Sequence, residues 1–150
     1  MEQDDIKVSK FAILSESGKV FIRMILCYLR EAGHQVDIFN DQESAFKSIE
    51  KYSYSLLFVD TDMPGLDVLS MLSYSQHIHP ETSMVIITAN EKMNTAMEAL
   101  KMGAADILVK PIDIFYLDAA LEKSIRLNKL VIENKCLKME VRRLNSTLSY

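Results

Sequence analysis

The stretch Ser55-Leu-Leu-Phe-Val-Asp60-Thr-Asp62-Met-Pro64-Gly65 decides how the rest of the chain reads. An apolar run ends abruptly in carboxylates, and a Pro-Gly turn follows. A short apolar run bounded by turn signals reads as a buried parallel strand whose carboxyl end presents Asp60 at the protein surface. The function of the chain therefore turns on what surrounds Asp60.

Working outward, comparable β-rich runs recur at Phe11–Leu14, Val36–Phe39, Met84–Thr88 and Ile107–Val109, separated by segments with helical spacing. Strands alternating with helices predict a parallel sheet covered on both faces and joined by right-handed crossovers. The first helix, about Lys19 to Ala32, carries Val20, Met24, Ile25, Cys27 and Leu29 on a broad apolar face and closes at Gly33. The second, about Asp41 to Lys51, is capped by Asn40 or Asp41 and buries Ala45, Phe46 and Ile49. The third, about Leu66 to His77, contributes Leu69 and Leu72 and exits at Pro80. The fourth, about Lys92 to Met102, carries Met93, Ala96, Met97 and Leu100 and closes on Gly103.

The 150 residues, 49% of them hydrophobic, suffice for one domain with a core and an appendage. A net charge of −4 and a pI near 5.4 argue against nucleic-acid binding by this segment, which would need a clustered basic face. Two cysteines, Cys27 and Cys136, make neither a disulfide framework nor a zinc set, as expected of a cytoplasmic protein. The acidic N-terminus is unlike a signal peptide, and no apolar run is long enough to span a membrane. With four glycines and no G-x-G-x-x-G or P-loop, a glycine-rich nucleotide cradle is not expected. His77 and His79 lack further ligands and read, with His34, as surface residues; the nine methionines read as core filler.

From about Asp113 the chain is helical to its end. Leu127, Leu130, Asn134, Leu137, Val141, Leu144 and Leu148 fall on alternating three- and four-residue steps, an a/d heptad seam. Asn134 at an a position and the Glu133–Lys138 g–e′ pairing both suit a parallel homodimer. The alternative is a lone amphipathic helix whose leucines cover the domain or fray in solution. The division expected is a domain over 1–125 and an extended coiled-coil linker over 126–150.

In a doubly wound sheet, functional groups collect at the carboxyl ends of the strands. Those ends offer Ser15 and Glu16, Asp60 and Asp62, Thr88 and Ala89, and Lys110-Pro111. Carboxylates, a hydroxyl and a lysine on one rim suit a hard divalent cation and a phosphoryl group.

Together these motifs resemble the receiver domains of bacterial two-component response regulators over about Lys7 to Ile125. The resemblance implies a flavodoxin-like (βα)5 fold of strand order 2-1-3-4-5. It makes Asp60 the acceptor of phosphoryl from a sensor histidine kinase. Glu16, Asp60 and the backbone carbonyl of Asp62 would bind Mg2+, Thr88 and Ala89 would hold the phosphoryl group, and Lys110, before a cis proline bond, would pair with it. Asp62 and Asn90 would flank the attacking water and tune phosphoryl lifetime. Such a protein is a signalling phosphoacceptor, self-phosphorylating from small donors and autodephosphorylating, rather than a metabolic enzyme. The tail resembles the linker of NtrC-type transcription activators, which implies an output domain in a longer chain.

Departures from that pattern are specific. The family has two adjacent acids after its first strand, where this chain has Ser15-Glu16, so weaker Mg2+ binding is expected. Ile107 stands where an aromatic switch residue is common. Both favour an alternative, a degenerate receiver acting as a phosphorylation-independent dimerisation or protein-binding module; Asp60, Thr88 and Lys110 oppose it.

Overall fold

The computed structural model describes residues 10–15 and 20–148, and within the last helix leaves the side chains of 127–129, 131, 132, 135 and 146–148 undescribed. Glu16 and the side chains of Leu127 and Leu148 thus lie outside the described residues.

Five strands, β1 (Lys10–Leu14), β2 (Gln35–Phe39), β3 (Leu56–Asp60), β4 (Ser83–Thr88) and β5 (Asp106–Val109), form one parallel sheet in the order 2-1-3-4-5. The helices are α1 (Val20–Glu31), α2 (Gln42–Lys51), α3 (Val68–Ile78), α4 (Met93–Lys101) and α5 (Ile114–Leu148), with a short 3-10 turn at Asn90–Lys92 before α4. This is the flavodoxin-like arrangement that the resemblance to receiver domains implied, and its parallel sheet is the one expected from the alternation of strands and helices.

The period of two along each strand sorts the core into two layers. Phe11, Ile13, Leu56, Phe58, Val85 and Ile87 face α1 and α5, meeting Ile22, Ile25, Leu29, Leu117 and Leu121. Ala12, Leu14, Leu57, Val59, Met84 and Ile86 face α2, α3 and α4. Every residue of β3 is buried. The central strand is therefore sealed on both sides, and Asp60 at its end, expected at the surface, is fully buried because neighbouring strand ends and Lys110 close over it.

Several helix faces differ from expectation. In α1 the sheet takes the narrower stripe Ile22, Ile25 and Leu29, leaving Val20 78% exposed and Cys27 exposed. In α4 the contact is made by Ala96 and Ala99, whose small side chains bring the helix close to the sheet and turn Met97 and Leu100 outward. Helix α3 starts two residues later than expected because the Asp67 carboxylate accepts from the Ser70 backbone N–H, just as Asp41 caps α2 through Ser44. His34 and His79 are only partly exposed: the first stacks on Phe11, and the second shares a hydrogen bond with the carbonyl of Ile49. Met63, Met71 and Met84 are core, whereas Met97, Met102 and Met139 are exposed.

Helix α5 is 35 residues long, roughly 52 Å at about 1.5 Å per residue. Its first turns bury Leu117, Ala120, Leu121 and Ser124. Beyond Ile125, every residue whose side chain is described is exposed, including Leu130, Asn134, Leu137, Val141 and Leu144. The alternative in which these leucines cover the domain does not hold for that described set. No helix among the described residues is long and apolar enough to cross a membrane.

Candidate functional site

Sheet register brings the strand ends together. Leu14 pairs with Val59, so one further step sets Ser15 opposite Asp60, and Asp60 in turn pairs with Ile87. Ser15 continues the parity of Phe11 and Ile13, and Asp60 that of Leu56 and Phe58, so both side chains belong to the α1/α5 side of the sheet. The Ser15 hydroxyl donates to Asp60 Oδ2 at 2.8 Å, and both residues have no solvent exposure.

The other Asp60 oxygen, Oδ1, accepts the Asp62 backbone N–H at 3.0 Å and Lys110 Nζ at 2.9 Å. Lys110 follows β5, and the bond to Pro111 is cis. Its ammonium also reaches Asp62 Oδ2 at 2.8 Å and lies 4.6 Å from the centre of the Phe21 ring. One lysine thus bridges two carboxylates. An unpaired buried carboxylate is costly, and charge-assisted hydrogen bonds to both oxygens offset that cost.

Burial pushes the Asp60 carboxyl up, but the Asp62 N–H, Lys110 and the Ser15 hydroxyl outweigh it and hold the group below the usual carboxylate range. The hydrogen bond from Lys110 is the main cause holding Asp62 low as well. For Lys110, burial opposes the charge, yet hydrogen bonds to Asp62 and Asp60 keep the ammonium above its ordinary value. Asp60 is therefore ionised at neutral pH and, among the described contacts, is oriented by Ser15, Lys110 and the Asp62 N–H.

Thr88 closes β4 beside this cluster and is fully buried. Its hydroxyl donates to the Ala89 carbonyl at 2.9 Å and accepts from the Thr61 hydroxyl at 3.1 Å, with no hydrogen bond to Asp60 among those described. Asn90 is exposed on the 3-10 turn, and Ile107 is half-buried against the core layer that includes α3 and α4. The cluster thus joins Ser15, Asp60, Asp62 and Lys110, with Thr88 and Ala89 next to it.

Two members of the site escaped sequence reasoning. Thr61 supplies the hydroxyl that engages Thr88. Lys92 sends its ammonium back to the Thr61 carbonyl at 3.3 Å and to within 3.5 Å of Asp62 Oδ1. The signal for Thr61 was its place between two aspartates. For Lys92 there was none, because its reach depends on the 3-10 turn.

For a metal, the oxygen donors at hand are Asp60, Asp62 and the Ser15 hydroxyl. No cluster of three acids, histidines or cysteines that could hold a metal ion occurs among the described residues. Two carboxylates nevertheless suit Mg2+, which keeps several waters and takes one or two protein acids.

The geometry has close relatives. A family model described as the response regulator receiver domain matches residues 14–122. The transcriptional regulatory protein ZraR of Escherichia coli K12 is 34% identical over 97 residues, 65% of this chain and 22% of ZraR. The chain thus corresponds to about a fifth of that relative's length. The crystal structure of NtrX from Brucella abortus is 27% identical with a TM-score of 0.73, covering 87% of this chain and 29% of NtrX. A response regulator from Burkholderia pseudomallei, solved with a phosphorylated aspartic acid, a calcium ion and citrate, shares the fold at 20% identity and a TM-score of 0.67, over 93% of this chain and 84% of that one. Matched over most of its length and carrying the sheet order and rim cluster that its sequence implied, the chain belongs to the response regulator receiver domain family.

Proposed function

We infer that this receiver accepts a phosphoryl group on Asp60 from a sensor histidine kinase and relays the signal to an output domain of a longer chain, most simply one acting in transcription. The observation that carries the reading is the Asp60 carboxylate itself: buried, ionised and held by Ser15 on one oxygen and by Lys110 and the Asp62 N–H on the other. In the transfer, an Asp60 oxygen attacks phosphorus of a phosphorylated imidazole. The O–P bond forms as the P–N bond breaks, and the electron pair returns to the ring nitrogen. Such chemistry asks mainly for alignment and charge stabilisation.

Receiver domains generally bind Mg2+ at the phosphorylation site. Here Asp60, the backbone carbonyl of Asp62 and Glu16 would hold it, and the ion, when bound, neutralises charge between the carboxylates and the phosphoryl oxygens. Like charges about 4 Å apart repel by roughly 4 kcal/mol at an effective dielectric of about 20, so the loss of an acid at position 15 has two consequences. It weakens the metal site and also lowers the charge that an anionic donor must approach. Lys110 would then follow the phosphoryl oxygens. Thr88, now donating to Ala89, would turn inward to hydrogen-bond them with Ala89, biasing the β4–α4 and β5–α5 surface between two states. Asp62 and Asn90 would tune hydrolysis.

The reading divides the chain into a receiver over 1–125 and a linker over 126–150 that pairs with a second copy through Leu127, Leu130, Asn134, Leu137, Val141 and Leu144. The exposed apolar seam of α5 supports this pairing. A degenerate receiver is the second reading, favoured by Ser15 at the metal site and by the aliphatic Ile107. Intact mass after incubation with an acyl phosphate and Mg2+ separates them. One phosphoryl group on the native chain and none on Asp60→Asn is the expected result; no adduct at any Mg2+ concentration selects the degenerate receiver.

A further inference from the structure

Asp62 is held between two lysines, one on each of its oxygens. Lys110 takes Oδ2 at 2.8 Å, and Lys92 stands 3.5 Å from Oδ1. The two differ in how firmly they are bound. Lys110 is 19% exposed and bonded at short range to two carboxylates, whereas Lys92 is 50% exposed, reaches Asp62 only at the longer distance of 3.5 Å, and touches otherwise the Thr61 carbonyl at 3.3 Å. Among the described side chains of the cluster, the carboxylates of Asp60 and Asp62 face the two ammonium groups of Lys92 and Lys110. Ser15 adds a neutral donor to Asp60 where an acid would add a negative charge.

We propose that Lys92 is a second anion-positioning residue for phosphoryl transfer to Asp60, parked on Asp62 and the Thr61 carbonyl and able to swing onto an incoming phosphodonor. The inference rests on Asp60 being the phosphoacceptor. The physical case has three parts. A lysine is a compact charge on a flexible stem, suited to following a substrate rather than fixing one geometry. A half-exposed ion pair is worth little, so exchanging the Asp62 carboxylate for the anionic oxygens of a phosphoryl donor costs little. The 3-10 turn at Asn90–Lys92 places that stem on the β4 side of the rim, across Asp62 from Lys110, so the two cations can approach an anion from two sides. The described contacts of Lys92 are to Asp62 and the Thr61 carbonyl, so its proposed action is on the donor.

The test is the dependence of Asp60 phosphorylation on the concentration of phosphoramidate at fixed, saturating Mg2+, followed by intact mass. Lys92→Gln is expected to raise the half-saturating donor concentration about fivefold while leaving the limiting rate within about twofold, a difference worth ~1 kcal/mol. Lys92→Arg keeps the charge and is expected to stay within about twofold of the native protein. Because screening weakens exposed charge interactions, the gap between native and Lys92→Gln should shrink as salt rises from 0.05 M to 0.5 M, which a merely structural lysine would not produce. In an Asp62→Asn background the Lys92→Gln effect should persist. Were Lys92 only the counterion of Asp62, it would vanish there, and the proposal would fall. Unchanged half-saturation in Lys92→Gln, or equal damage from Lys92→Arg, also overturns it. If the native chain takes no phosphoryl, or Asp60→Asn retains it, the phosphoacceptor reading fails, and this proposal with it; that failure is recognised by its presence before Lys92 is altered.

Discussion

Strand β3 and the distal half of α5 are both rich in apolar residues, yet the chain treats them in opposite ways. Leu56 to Asp60 are buried without exception, and the strand's last side chain is tied by Ser15, Asp62 and Lys110. Leu130, Leu137, Val141 and Leu144 are each about half exposed or more, on a helix that leaves the domain after Ile125. The first region meets all its needs within one chain. The second carries a seam that one chain leaves uncovered, as a surface meant for another copy would.

The sharpest way to break this comparison is to truncate one leucine in each region. Leu57 is fully buried between β3 and the α2–α4 layer, so Leu57→Ala is expected to cost about 3 kcal/mol, transfer and cavity terms together. Leu137 is 64% exposed, and Leu137→Ala should stay within about 0.5 kcal/mol in urea unfolding at concentrations too low for association. At high concentration the order of interest reverses: only Leu137→Ala should weaken self-association. Comparable losses in the dilute measurement would mean that the tail packs on its own domain.

The parallel sheet followed from the strand runs, because a strand buried on both faces must be nearly all apolar and β3 is, whereas the strand order came from the resemblance to receiver domains. Ser15, Asp60, Asp62 and Lys110 were equally legible, since parallel topology gathers strand ends whatever the loops do. Helix faces were less so. Val20, Met97 and Leu100 are apolar yet exposed, because α1 and α4 present only a narrow stripe to the sheet, and in α4 that stripe is alanine. The polar partners of the site were hidden for another reason. Whether Ser15 donates to Asp60, or Lys92 reaches Asp62, depends on a few ångströms of side-chain placement that no residue spacing encodes. Ser15 read as a missing acid, whereas in the structure it is a hydrogen-bond donor.

A second, smaller effect comes from the site itself. Lys110→Met leaves two carboxylates without their shared ammonium and is expected to cost about 2 kcal/mol at pH 7 in EDTA, less than the loss from a fully buried pair because the lysine is 19% exposed. The pH dependence has a definite sign. Asp60 and Asp62 are held below their ordinary values, so their contribution is present above about pH 4 and fades as the pH falls through the native values. Lys110 is held above 10.5, so its contribution persists through neutral pH and is lost only in strong alkali. The gap between native and Lys110→Met should therefore narrow toward pH 3 in urea titrations. A gap of constant size would assign the loss to packing against Phe21.

Smaller again, Thr61→Val removes the buried hydroxyl that donates to Thr88 while conserving shape, and is expected to cost about 1 kcal/mol in thermal unfolding. The Thr88 hydroxyl keeps its bond to the Ala89 carbonyl, so the loss should stay near the value of one neutral hydrogen bond. A loss of more than about 3 kcal/mol would mean that the hydroxyl pair holds the ends of β3 and β4 in register, and not merely each other.

The smallest expected change in stability comes from the largest deletion. A chain cut after Arg126 keeps the buried part of α5, from Leu117 to Ser124, together with half-buried Ile125. It should unfold within about 0.5 kcal/mol of the full chain at low concentration, because the side chains described beyond that point touch solvent rather than core. Its association should nevertheless be lost, which sedimentation of both chains would register. A dimer that survived the cut would have to draw on apolar surface within the domain. Phe115 and Tyr116, 82% and 71% exposed at the start of α5, form with Ile114 the nearest candidate patch. Pairing there would bind two copies through the start of α5, which follows β5 and Lys110 in the chain, instead of through the linker helix.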